Sequence, residues 1–236
     1  MRSFLFDTHF HLDLIPDGEK AKAEILNNGI YTIAVTNLPD LFMKEVTNDS
    51  KYIKHALGFH PELVSKHQGQ KEIMWKLLPH ARYIGEVGLD FSNGFERDQE
   101  VFFRELIEKI IHEKKILTIH SRKAISEVLD IIGNDFSFKP ILHWYSGGVK
   151  ELSTAVTRGY YISVNHKMVN THKFVSMIKY IPVDRLLLET DLPFSDNGLS
   201  HSNALSFTIE QLSRLYKIDR DAMQEQLSNN FRNILS

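Results

Sequence analysis

Eight short runs rich in β-branched and aromatic residues recur along the 236-residue chain and alternate with segments of helical period. They occupy residues 3–11 (SFLFDTHFH), 30–36 (IYTIAVT), 52–60 (YIKHALGFH) and 82–90 (RYIGEVGLD) in the first half. Residues 116–121 (ILTIHS), 139–144 (KPILHW), 160–165 (YYISVN) and 185–191 (RLLLETD) follow in the second. Their starts lie roughly 20 to 30 residues apart, the length of a βα unit with short loops, and eight such units predict a (β/α)8 TIM-type barrel. A doubly wound open sheet is the competing architecture. No G-x-G-x-x-G or Walker A pattern follows the first run, so the usual nucleotide-binding reason for an open sheet is missing.

Between the runs, Asp98 to Lys114 predicts an amphipathic helix, with Val101, Phe102, Leu106 and Ile110 as its apolar positions. Asp219 to Ile234 predicts a closing C-terminal helix. No linker, low-complexity stretch or longer repeat interrupts the pattern, so one domain over residues 1–236 is expected. Two polar loops, Ser92 to Asp98 and Phe194 to Asn203, stand at predicted strand ends. The second contains Ser195, Asp196, Asn197 and Gly198.

Composition narrows the chemistry. A net charge of −2 excludes a broadly basic nucleic-acid surface, so any polyanion contact must be local. With no cysteine, thiol chemistry, disulfides and Cys-ligated zinc are excluded, and His, Asp and Glu must supply any metal ligands. The absence of a signal-peptide core at the first residues and of any membrane-length apolar run leads to the expectation of a cytoplasmic protein without a membrane partner.

Strong ligand types sit at the C-terminal ends of the runs: His9 and His11 on the first, Glu86 on the fourth, His120 on the fifth, His143 on the sixth, Asp191 on the eighth. In a barrel those ends surround one cleft. Residues two apart on a strand share a face, which groups Asp7 with His9 and His11, and Leu187 with Glu189 and Asp191. A lone H-x-H is commonly a hydrogen-bonded structural pair. Five of the twelve histidines, His60 included, nevertheless fall at run ends, which chance placement explains poorly. Four imidazoles with two carboxylates suit Zn, Mn, Mg or Fe, and Glu86 could bridge two ions.

The motifs resemble, in order, those of the TatD-like metal-dependent deoxyribonucleases of the wider amidohydrolase-type barrels. DTHFHLD (7–13) resembles the family's D-x-H-x-H/D opening, GFHP (58–61) its G-x-H-P, and GEVGLDF (85–91) its G-E-I/V-G-L-D. IHSR (119–122), HWYSGG (143–148) and LLLETDLPF (186–194) are similar to its H-S-R, H-x-F-S-G and L-E-T-D-x-P. The resemblance covers Asp7 to Pro193. It implies a barrel, the six ligands His9, His11, Glu86, His120, His143 and Asp191 around two divalent ions (Zn, Mn or Mg), and 3'-5' exonuclease-like hydrolysis of DNA. Two departures stand out: the family's H-C-F-S-G reads His143-Trp144-Tyr145-Ser146-Gly147, and the R-G-x-R/K-N-E-P-like run after Pro193 is missing.

The resulting expectation is metal-assisted hydrolysis of phosphodiester bonds. Asp191 ligates a metal and accepts a proton from water, and Glu86 bridges. Glu189 is expected to orient a ligand histidine or the water. His60 and Arg122 are candidate phosphate contacts, with pairing of Arg122 to Glu86 or Asp90 as the structural alternative. Asp7 and Asp90 are expected to orient strand ends. Two other functions compete. One is a small-molecule amidohydrolase or phosphotriesterase, against which a glutamate rather than a bridging lysine on the fourth run speaks. The other is a metal-bearing subunit of a multi-protein, for example anti-phage, assembly.

Overall fold

Strand and helix alternate in three dimensions as they do along the chain, in a computed structural model that describes residues 3–92, 94–196 and 198–236. Asn197 of the second polar loop lies outside the described residues, as does Asn93 of the first. Every apolar run contains a strand: β1 Phe6–Phe10, β2 Tyr31–Val35, β3 Ile53–Ala56, β4 Tyr83–Asp90, β5 Ile116–Arg122, β6 Lys139–Leu142, β7 Tyr161–Val164 and β8 Leu186–Leu188. All neighbouring pairs are parallel, in the orders β1-β2-β3 and β4 through β8. Val87, Leu89, Ile119, Ile141 and Leu187 are wholly buried, as expected where helices cover a parallel sheet from outside.

Backbone hydrogen bonds cross both seams between the two groups of strands. Leu57 N–H donates to Tyr83 O (2.9 Å), Gly85 N–H to Leu57 O (2.9 Å) and Phe59 N–H to Glu86 O (3.0 Å) beside β3 and β4. Beside β8 and β1, Asp191 N–H donates to His9 O (2.8 Å) and His11 N–H to Leu192 O (3.0 Å). The architecture is the α/β, TIM-type barrel that the spacing predicts.

The C-terminal helix Arg220–Leu235 begins at Asp219, whose carboxylate accepts from the Asp221 and Ala222 amides. It packs over the β8/β1 seam. Ser228 bonds both backbone groups of Phe4, the Asn230 amide donates to Val183 O and Leu186 O (both 2.8 Å), and Phe231 stacks on Phe6 at 4.5 Å.

The amphipathic helix runs Glu96–Ile110, starting and ending earlier than its sequence pattern predicts. Its buried face comprises Gln99, Phe102, Phe103, Leu106, Ile107 and Ile110. Val101 points to solvent instead, because it lies off the i, i+3, i+4 stripe that Phe102 and Leu106 define.

Strand alternation fails at two places that matter. The β1 register shifts between Asp7 and Phe10, and β8 ends at Leu188, so Glu189 and Asp191 lie beyond the ladder. Asp191 adopts a left-handed backbone (φ 56). A single contact network draws both segments inward. The Asp7 carboxylate accepts from His9 N (2.9 Å), Thr190 N (3.2 Å), Thr190 Oγ1 (2.5 Å) and His201 Nε2 (2.8 Å). Asp7 therefore faces the seam, and His9 and His11 face the barrel mouth.

Candidate metal centre and cleft

Close backbone approach sets the stage for the central carboxylate. A Cβ at Gly58 would lie 1.6 Å from Thr36 O and 2.6 Å from Glu86 N, so only glycine lets these segments meet. Gly88 (φ +135) plays the same part against β5, where a Cβ would lie 2.1 Å from His120 O. Glu86 and His120 are thereby drawn to the middle of the mouth.

Glu86, almost fully buried, presents one oxygen to each of two donor groups. Its Oε2 lies 3.5 Å from His9 Nε2 and 3.4 Å from His11 Nε2. Its Oε1 lies 2.6 Å from His120 Nδ1, 3.1 Å from His143 Nε2 and 3.6 Å from His60 Nε2. On the first side Asp191 Oδ1 stands 3.3 Å from His11 Nε2 and 3.6 Å from His9 Nε2, and the two imidazole nitrogens are 3.3 Å apart.

These separations permit a test of whether a cation fits. Four ligands held ~2.0 to 2.2 Å from a common tetrahedral centre stand roughly 3.3 to 3.6 Å from one another. The five measured separations among His9, His11, Glu86 and Asp191 span 3.3 to 3.6 Å. The 3.3 Å contact of the two imidazole nitrogens can be closed by one N–H or by a cation, and the Glu86 and Asp191 oxygens beside it supply two anionic ligands. The donor set therefore fits a divalent ion. On the second side His60, Glu86 and His120 converge within 4.8 Å, as do His9, His143 and Glu189 in a third group.

Electrostatics follows from this crowding. Burial pushes the His9 imidazole down to about 4, with neighbouring His143 adding to the effect. His11 meets the same burial, but Asp191 and Glu86 outweigh it and push the ring up to about 9. Burial opposes ionisation of Glu86, yet His60, His143 and His9 hold its carboxyl well below the usual carboxylate range. His143 is pushed well above the ordinary imidazole value because Glu86 and Glu189 prevail over burial.

A second layer of contacts holds the donors. Thr118 Oγ1 bonds His9 Nδ1 at 2.6 Å, and Asp90 Oδ2 bonds His120 Nε2 at 2.7 Å. Asp90 lies low in pKa and His120 high, burial opposing both shifts and their mutual bond prevailing. Glu189, wholly buried, stands 3.6 Å from His143 Nδ1 and accepts from Trp144 N (3.0 Å), Asn165 Nδ2 (2.9 Å) and Ser163 Oγ. Its oxygens are engaged away from the cleft.

Four of the sequence-derived ligand candidates, His9, His11, His120 and His143, thus meet around a fifth, Glu86; Asp191 joins through His9 and His11, and Asp90 touches His120 as an orienting residue would. His60 differs from its expectation: its ring stands among the donors, 3.6 Å from Glu86, as well as facing the cleft. Arg122 is exposed at the cleft wall and makes no ion pair among the described residues; Asp90 pairs with His120 instead. Sequence reading missed Thr118, Ser163, Asn165, Thr190 and His201. Thr118 carried a signal, since it lies two residues before His120 and so on the same strand face. His201 carried little, because its partner Asp7 is 194 residues away.

Above the donors opens a cleft of about 500 Å³, whose walls include Arg122, Trp144 and Phe194. Buried imidazoles and carboxylates at the C-terminal mouth of a parallel barrel define the class: a metal-dependent hydrolase barrel. More particularly, the chain belongs to the TatD family, since the model of the TatD related DNase family matches residues 6–236. It is 25% identical to an uncharacterized metal-dependent hydrolase of Buchnera aphidicola, over 97% of this chain and 94% of the relative. It is 27% identical to human deoxyribonuclease TATDN3, over 80% of this chain and 78% of that one. The fold is also that of the TatD homologue YjjV of Escherichia coli (TM-score 0.78, 21% identity, 98% of this chain and 97% of the other covered). No helix among the described residues is long and apolar enough to cross a membrane.

Proposed function

We propose that the chain, as one barrel over residues 1–236, is a deoxyribonuclease that hydrolyses phosphodiester bonds from a 3' end with two divalent cations, Zn, Mn or Mg. The observation that carries this reading is the placement of Glu86, with one carboxylate oxygen directed at each of two donor groups. His9, His11, Glu86 and Asp191 would hold one cation, and His120 and His143, sharing Glu86, the other. Bound there, such ions make water acidic enough to attack at neutral pH and offset charge on a phosphoryl oxygen.

The chain's own residues do the rest. Asp191, which reaches the cleft wall, accepts the proton of the attacking water. Glu189 acts on His143 at Nδ1, and Asp90 on His120 at Nε2, by fixing ring orientation. Arg122 and His60 receive the scissile phosphate, Arg122 by its planar, bidentate guanidinium. The names of relatives such as the human deoxyribonuclease support DNA as substrate.

The test is metal analysis of purified protein alongside timed digestion of single- and double-stranded DNA labelled at either end. About two equivalents of metal, progressive loss from the 3' end, and loss of both properties in Glu86→Ala are expected. A wild-type protein that leaves DNA intact with each of the three metals, yet hydrolyses small amides or lactones, would overturn the reading.

A further inference from the structure

We propose that Trp144 and Phe194 form an aromatic clamp that binds a nucleobase by stacking, a specificity determinant built above the metal donors; the inference rests on the nuclease reading of the same cleft. Trp144 stands where the family motif that the sequence resembles carries cysteine, so the feature belongs to this chain. The residue is half-buried, lines the cleft, and holds a left-handed backbone (φ 38) that side-chain-bearing residues rarely adopt. Its amide is fastened by Glu189, which accepts from it at 3.0 Å. The indole is thus placed at the cleft wall at a conformational cost.

Phe194 lines the same cleft. It is 58% exposed, and its ring stands edge-on to His11, one of the candidate metal donors, at 5.0 Å. A phenyl ring this open to water contributes little to folding, because burial is what makes apolar surface stabilising. Positive charge accompanies both walls. Lys167 Nζ donates to Phe194 O (3.4 Å), Lys173 Nζ donates to Ser146 O two residues beyond Trp144, and Arg122 lies unpaired among the described residues.

Flat apolar walls, cations beside them and a cleft of about 500 Å³ match a planar heterocycle attached to a phosphate. The positive charge is local in a chain of net charge −2, so it acts on the group in the cleft rather than on a long polyanion. Stacking is tolerant of base identity, because every base has a π face. The clamp therefore selects a base that is free of its own strand neighbours and pairing partner.

The experiment titrates the metal-loaded protein with deoxyadenosine 5'-monophosphate and, separately, with 2-deoxyribose 5-phosphate, which has the same phosphate and no base. The nucleotide is expected to bind about 5- to 100-fold more tightly, the range that one stacked base contributes. It is also expected to quench tryptophan emission, and the quench should vanish in Trp144→Phe, which leaves only Trp75 of the two tryptophans. Trp144→Leu should lower nucleotide affinity by at least about 5-fold. Phe194→Leu, at an exposed position that cannot threaten the fold, should lower it by about 3-fold or more. Equal binding of the two ligands, or nucleotide affinity within 2-fold of wild type in both leucine variants, overturns the clamp. A protein that passes these measurements but cuts no DNA keeps the clamp and loses the nuclease reading. One that cuts DNA and ignores the base loses the clamp alone.

Discussion

The two ends of the barrel bury charge in opposite ways. At the N-terminal end, Lys115 is nearly inaccessible, and each of its three protons has a partner: Leu78 O at 2.9 Å, Ala81 O at 2.7 Å and Glu113 at 2.9 Å. At the C-terminal mouth, His9 Nε2 and His11 Nε2 stand 3.3 Å apart, and the Glu86 and Asp191 oxygens lie 3.3 to 3.6 Å from them. A completed network is a structural device. At the mouth, imidazoles and carboxylates converge instead at separations that suit a divalent cation, which is the mark of a candidate site.

The largest effect should come from the shared carboxylate. Glu86→Ala is expected to lower DNA cleavage by more than about 10³-fold and to remove bound metal, checked by end-labelled digestion and elemental analysis. Full metal content in this variant would erase the distinction between the two ends. Asp90→Asn tests the supporting layer: it should reduce metal affinity or activity by about 10- to 100-fold without changing the melting curve of the metal-free protein greatly, as read by competition with a chelating dye.

Proton competition gives a smaller and graded effect. His11 in the metal-free protein keeps its proton up to about pH 9, so a cation must displace it. Apparent affinity should rise by at least about tenfold per pH unit between 7 and 9, since His120 and His143 are raised as well, and calorimetry in buffers of different ionisation enthalpy should record proton release on binding. The sign for folding is the reverse. The raised His11 value contributes stability to the metal-free protein that is fully present below about pH 6.5 and is lost as pH climbs through about 9. His9, held down to about 4, loses stability as pH falls from about 6.5 toward that value. A melting temperature of metal-free protein that climbs steadily from pH 7 to 9 would contradict this assignment.

The smallest effect on the site should follow the most buried change at the other end. Lys115→Met removes the side-chain donor of Leu78 O and Ala81 O and should cost about 1 to 3 kcal/mol in denaturant-induced unfolding. Metal affinity should stay within about 2-fold, since no donor at the mouth contacts Lys115.

How much of this was legible beforehand depends on whether a contact is encoded locally or by closure of the ring. Strand positions, their parallel order and the convergence of His9, His11, Glu86, His120, His143 and Asp191 follow from run spacing, because every strand of such a barrel ends at one mouth. The side-chain alternation read along β1 and β8 did not survive at Asp7 and Asp191, since their conformations are set by bonds across the seam rather than by the strands they extend. Trp144 was visible only as a departure from a motif; that it shares a cleft with Phe194 depends on two loops some 50 residues apart being brought together.

The sequence by itself determined the alternating architecture, the exclusion of thiol chemistry and the set of candidate donor side chains, because these rest on periodicity and residue type. Only the tertiary structure decided that Glu86 turns one oxygen to each donor group, that Asp90 serves His120 instead of Arg122, and that Asp7 ties His9 to Thr190 and His201. Those choices are made over distances of a few ångströms between residues 30 to 194 positions apart. At the candidate metal centre, spacing along the chain named the candidate donors, while packing set the 3.3 to 3.6 Å separations that suit a cation.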